Sequence, residues 1–496
     1  MSSHSHYLAI DLGAESGRVM LGTLWEGRLT LEEIHRFSNG AVVIKGSRRW
    51  DLLHLYAEIV EGLRKAGARD LPIRSLSSDS WGVDYALIQG NEPFLAPPYQ
   101  YRDERTDGSY ERLGEVTREE IYAATGIQFM TINTLCQLHT DLLMRPEILK
   151  FADRFLLIGD TVNHLLGGEP VAEASLASTT QLFDPAKMDW ARPLIGRLGL
   201  PESIFPKVVP SGTVIGTLTP ELQSETRLGP VTVVATCSHD TGAAVAAVPA
   251  SDDSGWAYLS SGTWSLLGVE SPTPFLTEQA RNLNFTNEVG YGGTVRLLKN
   301  IAGLWILQEC MRFWRESGQQ FSYTDLVNFA LEAPALVSLI NPGDARFLRS
   351  GGTTASGGMP ARIAEYCRQT SQSVPETPGA IARCILESLS LLYRKSLGEL
   401  EQLTGKSINR LHIVGGGTRN DLLNQCAASA TGRHVITGPI EATAAGNILI
   451  QALAGGAVSS LAEARKIVAR SFPQNTYAPQ DAPLWEAAYE RFTALP

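Results

Sequence analysis

The sequence predicts an α/β protein of two domains, and three observations support this. A chain of 496 residues exceeds what one hydrophobic core ordinarily supports. Short β-branched runs give way to helix-permissive runs, as in VTVVATCSHDTGAAVAAV at residues 231–248. The pattern of short strand, Gly/Ser/Thr turn and return strand occurs twice, once near the start of each half. We place the boundary in the polar segment 249–255, which gives domains of residues 1–249 and 250–496.

The composition is that of an ordinary globular protein, with 44% hydrophobic and 19% charged residues. The net charge of −10 argues against nucleic acid or an anionic membrane as the main partner. We see neither a signal peptide nor an apolar run long enough to cross a bilayer, and therefore expect a cytoplasmic protein. The six cysteines lack metal-ligand spacing, which indicates free thiols, although Cys367 and Cys384 could lie close in consecutive helical segments.

The first domain is expected to open with a hairpin. Residues 7–11 predict a strand, GAESG a tight turn and residues 18–25 the return strand, followed by a third strand over residues 29–37. A turn of glycine and small hydroxyl residues exposes several backbone N–H groups, which suits a polyphosphate. A plain hairpin explains the same residues and is favoured by these residues alone.

Next comes an amphipathic helix, predicted over residues 50–66 by the spacing of its apolar side chains. Residues 73–78 and 83–88 predict two strands around a polar elbow that contains Asp79 and Asp84. The remaining predictions for this domain are a charged loop at residues 101–107, mostly helix with one strand over 119–168, and irregular structure over 201–220.

The stretch 231–248 places Ser238, His239, Asp240 and Thr241 where a strand gives way to a helix. Proteins of the α/β class place their chemistry at such junctions. A carboxylate there can accept a proton from a bound hydroxyl, and a helix N-terminus can hold an anion. The alternative is that Asp240 only caps the helix, as aspartate commonly does.

The second half repeats the hairpin, with strands over residues 256–259 and 266–270 around the turn SSGTWS. Two such hairpins could grip one polyphosphate from both sides. Three glycines in GGGTRND could let a flat ring such as adenine lie against the backbone, while the spacing of a dinucleotide fingerprint is absent. The other predicted elements are helices within 297–314, over 379–403 and over 441–453, and a strand over 410–414.

The motifs DLGAESGR, DSWGVD, SHDTG, SSGTW and GGGTRN, in this order, resemble those of the FGGY carbohydrate kinases of the actin-like ATPase superfamily. The similarity extends over about residues 7–453. It implies two duplicated ribonuclease-H-like α/β domains with the active site in the cleft between them. It also implies an ATP-dependent kinase, and segments such as YRDERTDG and LKNIAGLWILQEC resemble members that phosphorylate L-rhamnulose at its 1-hydroxyl.

The resemblance also assigns roles to individual residues. Asp240 is implied to be the catalytic base, and Asp11 to lie near the metal and the transferred phosphoryl group. The sugar-binding positions are Gly82, His239, Asp240, Thr241 and Asn300. The ATP-binding positions are Ala14, Glu15, Ser16, Gly17, Arg18, Thr263, Gln308 and Gly416. The implied co-substrate and cofactor are ATP and Mg²⁺, and the implied assembly is a monomer or a small homo-oligomer.

Three alternatives stay open. The sugar could instead be L-fuculose, L-ribulose or D-xylulose, because pocket shape sets this choice. An ATP-driven chaperone or filament protein shares the nucleotide-binding architecture, but neither needs a sugar-facing base and the chain has no spare length for a peptide-binding domain. A catalytically inactive sugar sensor is disfavoured, since the expected base and both turns are present.

Overall fold

The computed structural model of the chain describes residues 4–90, 92–250, 255–348 and 357–496. It has the predicted α/β class, and its internal contacts divide it into two units. Unit 1 consists of Met1–Ser251, Glu270–Leu298 and Glu441–Phe472, and unit 2 of Asp252–Val269, Lys299–Ile440 and Pro473–Pro496. Part of the expected boundary segment, residues 251–254, lies outside the described residues.

The strands are β1 (Ser5–Leu12), β2 (Ser16–Trp25), β3 (Arg28–Ser38), β4 (Ala41–Ile44), β5 (Ser47–Trp50), β6 (Ile73–Ser80), β7 (Tyr85–Ile88), β8 (Arg154–Leu157), β9 (Ala172–Glu173), β10 (Phe183–Asp184), β11 (Asp189–Trp190), β12 (Val208–Val209), β13 (Thr213–Thr217), β14 (Thr232–Ala235), β15 (Trp256–Ser261), β16 (Ser265–Ser271), β17 (Thr286–Val289), β18 (Val295–Ile301), β19 (Arg410–Val414), β20 (His434–Thr437) and β21 (Thr476–Tyr477). The α-helices are α1 (Leu52–Gly67), α2 (Arg118–Thr125), α3 (Thr134–Met144), α4 (Pro146–Phe151), α5 (Ile158–Leu165), α6 (Ala174–Ser178), α7 (Arg192–Arg197), α8 (Pro220–Thr226), α9 (Asp240–Ala246), α10 (Glu278–Asn282), α11 (Trp305–Glu316), α12 (Tyr323–Glu332), α13 (Ala345–Leu348), α14 (Gly358–Gln369), α15 (Pro378–Thr404), α16 (Asp421–Thr431), α17 (Ala442–Ala454), α18 (Leu461–Ser471) and α19 (Ala482–Thr493). Short 3₁₀ turns occupy Glu104–Thr106, Tyr110–Arg112, Glu202–Ile204, Tyr291–Gly293 and Gly416–Arg419.

Unit 1 is built on a six-stranded sheet in the order β13-β14-β6-β1-β2-β3. The predicted opening hairpin is confirmed, because β1 pairs antiparallel with β2, and β2 with β3. Every residue of β1 is buried, which fits its place between two neighbouring strands. The apolar face of α1 packs on this sheet, with Ile59 and Leu63 fully buried in the core.

The prediction of irregular structure over residues 201–220 is wrong in part, since β13 forms an edge strand there. Only Ile215 of that strand is buried, so no clear alternation marks it in the sequence. A second core of unit 1 is formed by side chains of residues 85–205 together with Val289, and in it the rings of Phe155, Trp190 and Phe205 pack edge-on or tilted against one another.

The parallel pairing of β1, β6 and β14 decides where the polar residues of unit 1 lie. Asp11 in β1 is the direct cross-strand partner of Asp79 in β6. Ser80, one residue further on, forms a parallel bridge with His239, which follows β14. Because the carboxyl ends of parallel strands meet at one edge of a sheet, these residues share that edge.

Unit 2 contains five neighbouring strands in the order β16-β15-β19-β20-β21. The second predicted hairpin is confirmed by the antiparallel pairing of β15 with β16, and β15 runs parallel to β19. The helix predicted over residues 379–403 is α15, whose Leu389 and Tyr393 are fully buried. The described part of the chain holds no helix that is long and apolar enough to cross a membrane.

All six cysteines are buried free thiols, as predicted. Cys367 and Cys384 lie close enough to share a hydrogen bond. Burial of the other four raises the pKa of each thiol. None of them therefore has the lowered pKa of a nucleophilic cysteine.

Candidate active site

Three carboxylates of unit 1 lie at the carboxyl ends of its parallel strands: Asp11 in β1, Asp79 in β6 and Asp240 after β14. Each is close enough to influence the ionisation of another. Burial raises the pKa of Asp79 well above its ordinary value, and the negative charges of Asp11 and Asp240 add to that rise. Clusters of mutually repelling carboxylates are costly, and they occur mainly where function needs them.

Asp11 is held by a cation. Arg18, its partner on β2, donates from Nη2 to Asp11 Oδ2 at 2.5 Å, and from Nη1 to Glu441. Burial opposes the charge on Arg18, but the two carboxylates outweigh it and raise the pKa of the guanidinium. Arg18, predicted to bind phosphate, is therefore engaged by two acids of unit 1 in this structure.

Asp79 is completely buried, and its Oδ2 accepts a hydrogen bond from Asn447 Nδ2 at 2.6 Å. Within the described residues its Oδ1 has no hydrogen-bond partner. Asn447 is positioned by Gln451 one helical turn further along α17, whose Nε2 donates to Asn447 Oδ1 and to the carbonyl of Leu8. The small-residue helix α17 thus supports this carboxylate from inside unit 1.

Three main-chain hydrogen bonds fix the segment that leads into α9. The carboxylate of Glu173 accepts the N–H of Ser238 at 3.0 Å, and Ser175 Oγ accepts the N–H of His239 at 3.2 Å. The N–H of Ser80 donates to the carbonyl of Ser238 at 2.8 Å. Burial raises the pKa of Glu173, while its hydrogen bonds act in the opposite direction.

Asp240 is the first residue of α9, so the N-cap position belongs to His239. Its Oδ1 accepts the N–H of Thr241 at 2.6 Å and the Thr241 hydroxyl at 3.1 Å, whereas no hydrogen bond reaches Oδ2 in the described part of the chain. Of the predicted tetrad only Asp240 is more than slightly exposed, with 30% of its side chain open to solvent. Burial of the Asp240 carboxylate raises its pKa. The nearby His239 lowers this pKa, and the negative charge of Asp11 raises it further. The prediction that Asp240 only caps the helix is therefore wrong, since His239 holds the N-cap, and Oδ2 of Asp240 is left as an accessible proton acceptor.

The ring of His239 lies between charged groups. Its Nε2 is 3.4 Å from Asp240 Oδ1, and its Nδ1 is 3.0 Å from Arg296 Nη2 and 3.3 Å from Glu288 Oε2. Arg296 and Glu288 are cross-strand partners in the hairpin β17/β18. These two residues were not predicted, since no local pattern marks a strand charge as buried.

The polar elbow after β6 contains Gly82, a predicted sugar-binding residue. A side chain there would reach within 2.9 Å of Thr179 Oγ1, so only glycine fits without a shift. The next residue, Val83, has a φ of +68°, an uncommon conformation for a β-branched residue. Strained backbone of this kind is concentrated at functional sites.

The elbow is anchored by Asp84, which is fully buried. Its Oδ2 accepts hydrogen bonds from the indole N–H groups of Trp50 and Trp81 and from the N–H of Tyr101, and its Oδ1 from Gln137. Burial raises the pKa of Asp84 to about 6, against the pull of these donors. The network ties the charged loop at residues 101–107 to the elbow.

Two main-chain carbonyls of the first predicted phosphate turn are already occupied as hydrogen-bond acceptors. The side chain of Asn39 donates to the carbonyl of Gly13 at 2.7 Å, and its N–H donates to the carbonyl of Glu15 at 3.0 Å. The Glu15 side chain is exposed. A Cβ on Gly17 would lie 2.3 Å from the ring of Phe37, which explains that glycine by packing. The predicted residues here are Ala14, Glu15, Ser16, Gly17 and Arg18.

Unit 2 brings together two of its predicted ATP contacts. Gln308 Nε2 donates to Thr263 Oγ1 at 3.2 Å, and the N–H of Trp305 donates to the Thr263 carbonyl at 3.0 Å. Gly416 is exposed, and no described atom lies within 4 Å of the position that its Cβ would take. An open backbone face of this kind can accept a flat ring. Asn300 is half-buried on β18.

The structure therefore places the predicted residues in both units. Unit 1 contains the turn residues 14–18 and Asp11, Gly82, His239, Asp240 and Thr241. Unit 2 contains Asn300, Thr263, Gln308 and Gly416. Sequence reasoning did not find Glu441, Asn447, Glu173, Glu288 or Arg296. For Asn447 a signal existed, because Asn447 and Gln451 stand one turn apart in an otherwise apolar helix.

A metal would have to be bound by few protein ligands. Among the described residues no group of three or more His, Cys, Asp or Glu side chains is arranged to hold a metal ion. Mg²⁺ usually keeps several waters and binds through one or two carboxylates together with substrate phosphates. The carboxylate of Asp11 beside the buried Asp79 is compatible with such a site.

Comparison with known proteins identifies the family. The model of the FGGY family of carbohydrate kinases, N-terminal domain, matches residues 6–247, and that of the C-terminal domain matches residues 257–455. The chain is 45% identical to a rhamnulokinase of Bacteroides thetaiotaomicron over 98% of both chains. It is 44% identical to a rhamnulokinase of Pectobacterium atrosepticum, with 98% of this chain and 96% of that one covered.

Solved structures agree on the fold. A ligand-bound xylulose kinase from Lactobacillus acidophilus superposes with a TM-score of 0.79 at 16% identity, covering 99% of this chain and 97% of that one. Plasmodium falciparum glycerol kinase with ADP gives a TM-score of 0.78 at 15% identity, covering 99% and 98%. The family models and the relatives confirm the resemblance of the sequence motifs. The chain belongs to the FGGY family of carbohydrate kinases.

Proposed function

We propose that this protein transfers the γ-phosphoryl group of ATP to the 1-hydroxyl of L-rhamnulose. The observation that carries the reaction is the geometry of Asp240, a recessed carboxylate with one oxygen anchored and the other accessible. The choice of sugar rests on the rhamnulokinases of Bacteroides thetaiotaomicron and Pectobacterium atrosepticum, which match nearly the whole chain.

Asp240 would act as the general base. Its Oδ1 is fixed by Thr241, so Oδ2 is the atom that takes the proton of the sugar hydroxyl as that oxygen attacks phosphorus. The pKa of Asp240, raised by burial, makes it a better proton acceptor than an ordinary aspartate. It is still lower than that of a hydroxyl, so the proton moves as the new bond forms.

The sugar is proposed to lie against the elbow and the start of α9. Gly82 is proposed to present its backbone to the sugar, at a position where a side chain would meet Thr179. The Nε2 side of His239 faces Asp240, where it can donate to a sugar oxygen. Asn300 of unit 2 is proposed as a further sugar contact.

The phosphates are proposed to contact the turn residues 14–18 of unit 1 and Thr263 of unit 2. Gln308 holds the Thr263 hydroxyl in place, and the open face of Gly416 is proposed to receive the adenine ring. Mg²⁺, bound through Asp11 and the phosphates, would supply charge neutralisation at the β- and γ-oxygens.

The test is an initial-rate assay of ADP formation with Mg²⁺ and a panel of L-rhamnulose, L-fuculose, L-ribulose, D-xylulose and no sugar. We expect a clear preference for L-rhamnulose. Preference for another ketose would contradict the substrate, and equal rates with and without sugar would contradict the reaction.

Asp240→Asn tests the base. We expect kcat to fall by about 10²- to 10⁴-fold with little change in the KM for sugar or ATP, because the variant keeps its size but cannot take a proton. Asp70→Asn is the matched control, since Asp70 is exposed at a φ of +53° that asparagine tolerates. Turnover of Asp240→Asn near that of the control would rule out the assigned role.

A further inference from the structure

The hairpin β17/β18 delivers a buried ion pair to the side of His239 that faces away from Asp240. Arg296 is completely buried, and Glu288 lies directly opposite it on the neighbouring strand, with Nη2 and Oε2 3.2 Å apart. The Nε and Nη2 groups of Arg296 both donate to the carbonyl of Val289 at 3.2 Å. The guanidinium is thus held in one orientation by its own hairpin.

The contact between Arg296 and His239 decides which ring nitrogen carries the proton. Two groups face His239 Nδ1: Arg296 Nη2 at 3.0 Å, which can only donate, and Glu288 Oε2 at 3.3 Å, which can only accept. The shorter contact is the one with the guanidinium, and it assigns Nδ1 as the acceptor. A neutral imidazole with Nδ1 as acceptor has its proton on Nε2. That nitrogen is the one 3.4 Å from Asp240 Oδ1.

We propose that Arg296, oriented by Glu288, is a positioning residue that fixes His239 in the Nε2–H tautomer and so keeps a donor beside the base Asp240. This inference rests on the proposed role of Asp240. In the opposite tautomer, an unprotonated Nε2 would face the carboxylate of Asp240, and two acceptors would compete for one proton. Asp240 would then be favoured in its protonated form, which cannot accept the proton of a sugar hydroxyl.

The burial of the pair supports this reading. A buried ion pair seldom stabilises a fold more than apolar residues of the same volume would. The placement of this pair in the interior, in contact with a predicted sugar-binding histidine, is better explained by the orientation that Arg296 imposes on the ring. Second partners of this kind commonly set the tautomer of a functional histidine.

The tautomer is read directly from long-range ¹H–¹⁵N spectra of the full chain labelled with ¹⁵N-histidine. The signal of His239, one of nine histidines, is assigned from its loss in His239→Gln. We expect the Nε2–H tautomer in the wild type. In Glu288→Met/Arg296→Met, which removes both charges together, we expect His239 to shift toward a mixture of tautomers and kcat to fall at least about tenfold at unchanged KM for ATP.

Two further variants guard against a general loss of structure. Arg296→Lys keeps a donor for Nδ1, so it should retain the Nε2–H tautomer and recover most of the turnover. The matched control is Arg383→Met/Glu387→Met, which removes a well-buried ion pair of unit 2 joined at 2.8 Å. It should change neither the His239 signal nor kcat, and melting temperatures report on folding in every case.

Several results would overturn the proposal. They are an Nδ1–H tautomer in the wild type, an unchanged tautomer in Glu288→Met/Arg296→Met, or a shifted tautomer with unchanged kcat. If the double variant does not fold, Arg296→Lys provides the test, and an altered His239 tautomer in that variant would overturn the proposal. Absence of sugar phosphorylation by the wild type would instead contradict the proposed function, and the tautomer would still be measurable.

Discussion

One methyl group added to Gly446 should displace the helix that carries Asp240. Gly446 lies in α17, where it packs against Ala243 of α9. A Cβ at residue 446 would lie 1.8 Å from the carbonyl oxygen of Ala243, whereas real Cβ contacts essentially never fall below 3.0 Å. The two helices must therefore separate by roughly 1.2 Å at this point, the difference between those distances.

The cost follows from general magnitudes. In an unconstrained helix, replacing glycine by alanine stabilises by about 0.5–1 kcal/mol, whereas forcing an extra carbon into a packed contact costs about 1–3 kcal/mol. A displacement of about 1 Å near the reacting atoms can lower a rate by about 10²-fold. We therefore expect Gly446→Ala to reduce kcat by about 10- to 100-fold and to lower the melting temperature.

The assay is steady-state ADP formation with sugar, together with thermal melting. Gly398→Ala is the matched control, because Gly398 also lies within a long helix, α15, but none of the described atoms comes within 4 Å of its Cβ position. That variant should keep full activity and melt at the same or a higher temperature. Full activity and an unchanged melting temperature in Gly446→Ala would refute the claim that this contact positions α9.

Two further predictions concern the elbow and the nucleotide side. Burial raises the pKa of Asp84 to about 6, so this group binds more protons in the folded state than in the unfolded state. Its contribution to stability is therefore present at low pH and is lost as the pH rises through about 6. That loss amounts to about 3 kcal/mol. Between about pH 4 and pH 7 the melting temperature of Asp84→Asn should therefore fall less than that of the wild type. Parallel curves of melting temperature against pH would contradict this role of Asp84. In unit 2, Gly417→Ala should raise the KM for ATP about tenfold. The added Cβ would lie 2.0 Å from Ser261 Oγ, so the glycine turn must shift. An unchanged KM for ATP would show that this turn does not contribute to nucleotide binding.

Local sequence patterns predicted the elements whose signal is local. The opening hairpin was predictable because its turn consists of glycine and small hydroxyl residues between two apolar runs. The edge strand β13 was not, since only Ile215 of its five residues is buried. The division into discontinuous units could not be read from the sequence either, because residues 270–298 and 441–472 join unit 1 through packing between distant parts of the chain.

The same distinction separates the site residues. Asp240 could be predicted as a site residue because it stands at a strand-to-helix junction, which the sequence displays. Arg296 and Glu288 were not, because a charged residue in a strand gives no sign of being buried until its partners are known. Their relation to His239 joins residues more than forty positions apart in the chain and exists only in the folded unit.

Burial of charge is therefore the feature that ties the fold of unit 1 to its chemistry. Asp79 and Glu173 are both fully buried, and burial raises the pKa of each, so each costs stability that an apolar residue would not. Glu173 offsets part of that cost with hydrogen bonds that fix the N–H of Ser238, two residues before Asp240. Asp79 offsets less of that cost, since its Oδ1 has no hydrogen-bond partner among the described residues. The negative charges of Asp11 and Asp240 repel a charge on Asp79 and raise its pKa further. A bound cation would relieve that repulsion, so we expect binding of Mg²⁺ together with ATP to stabilise unit 1 more than ATP alone.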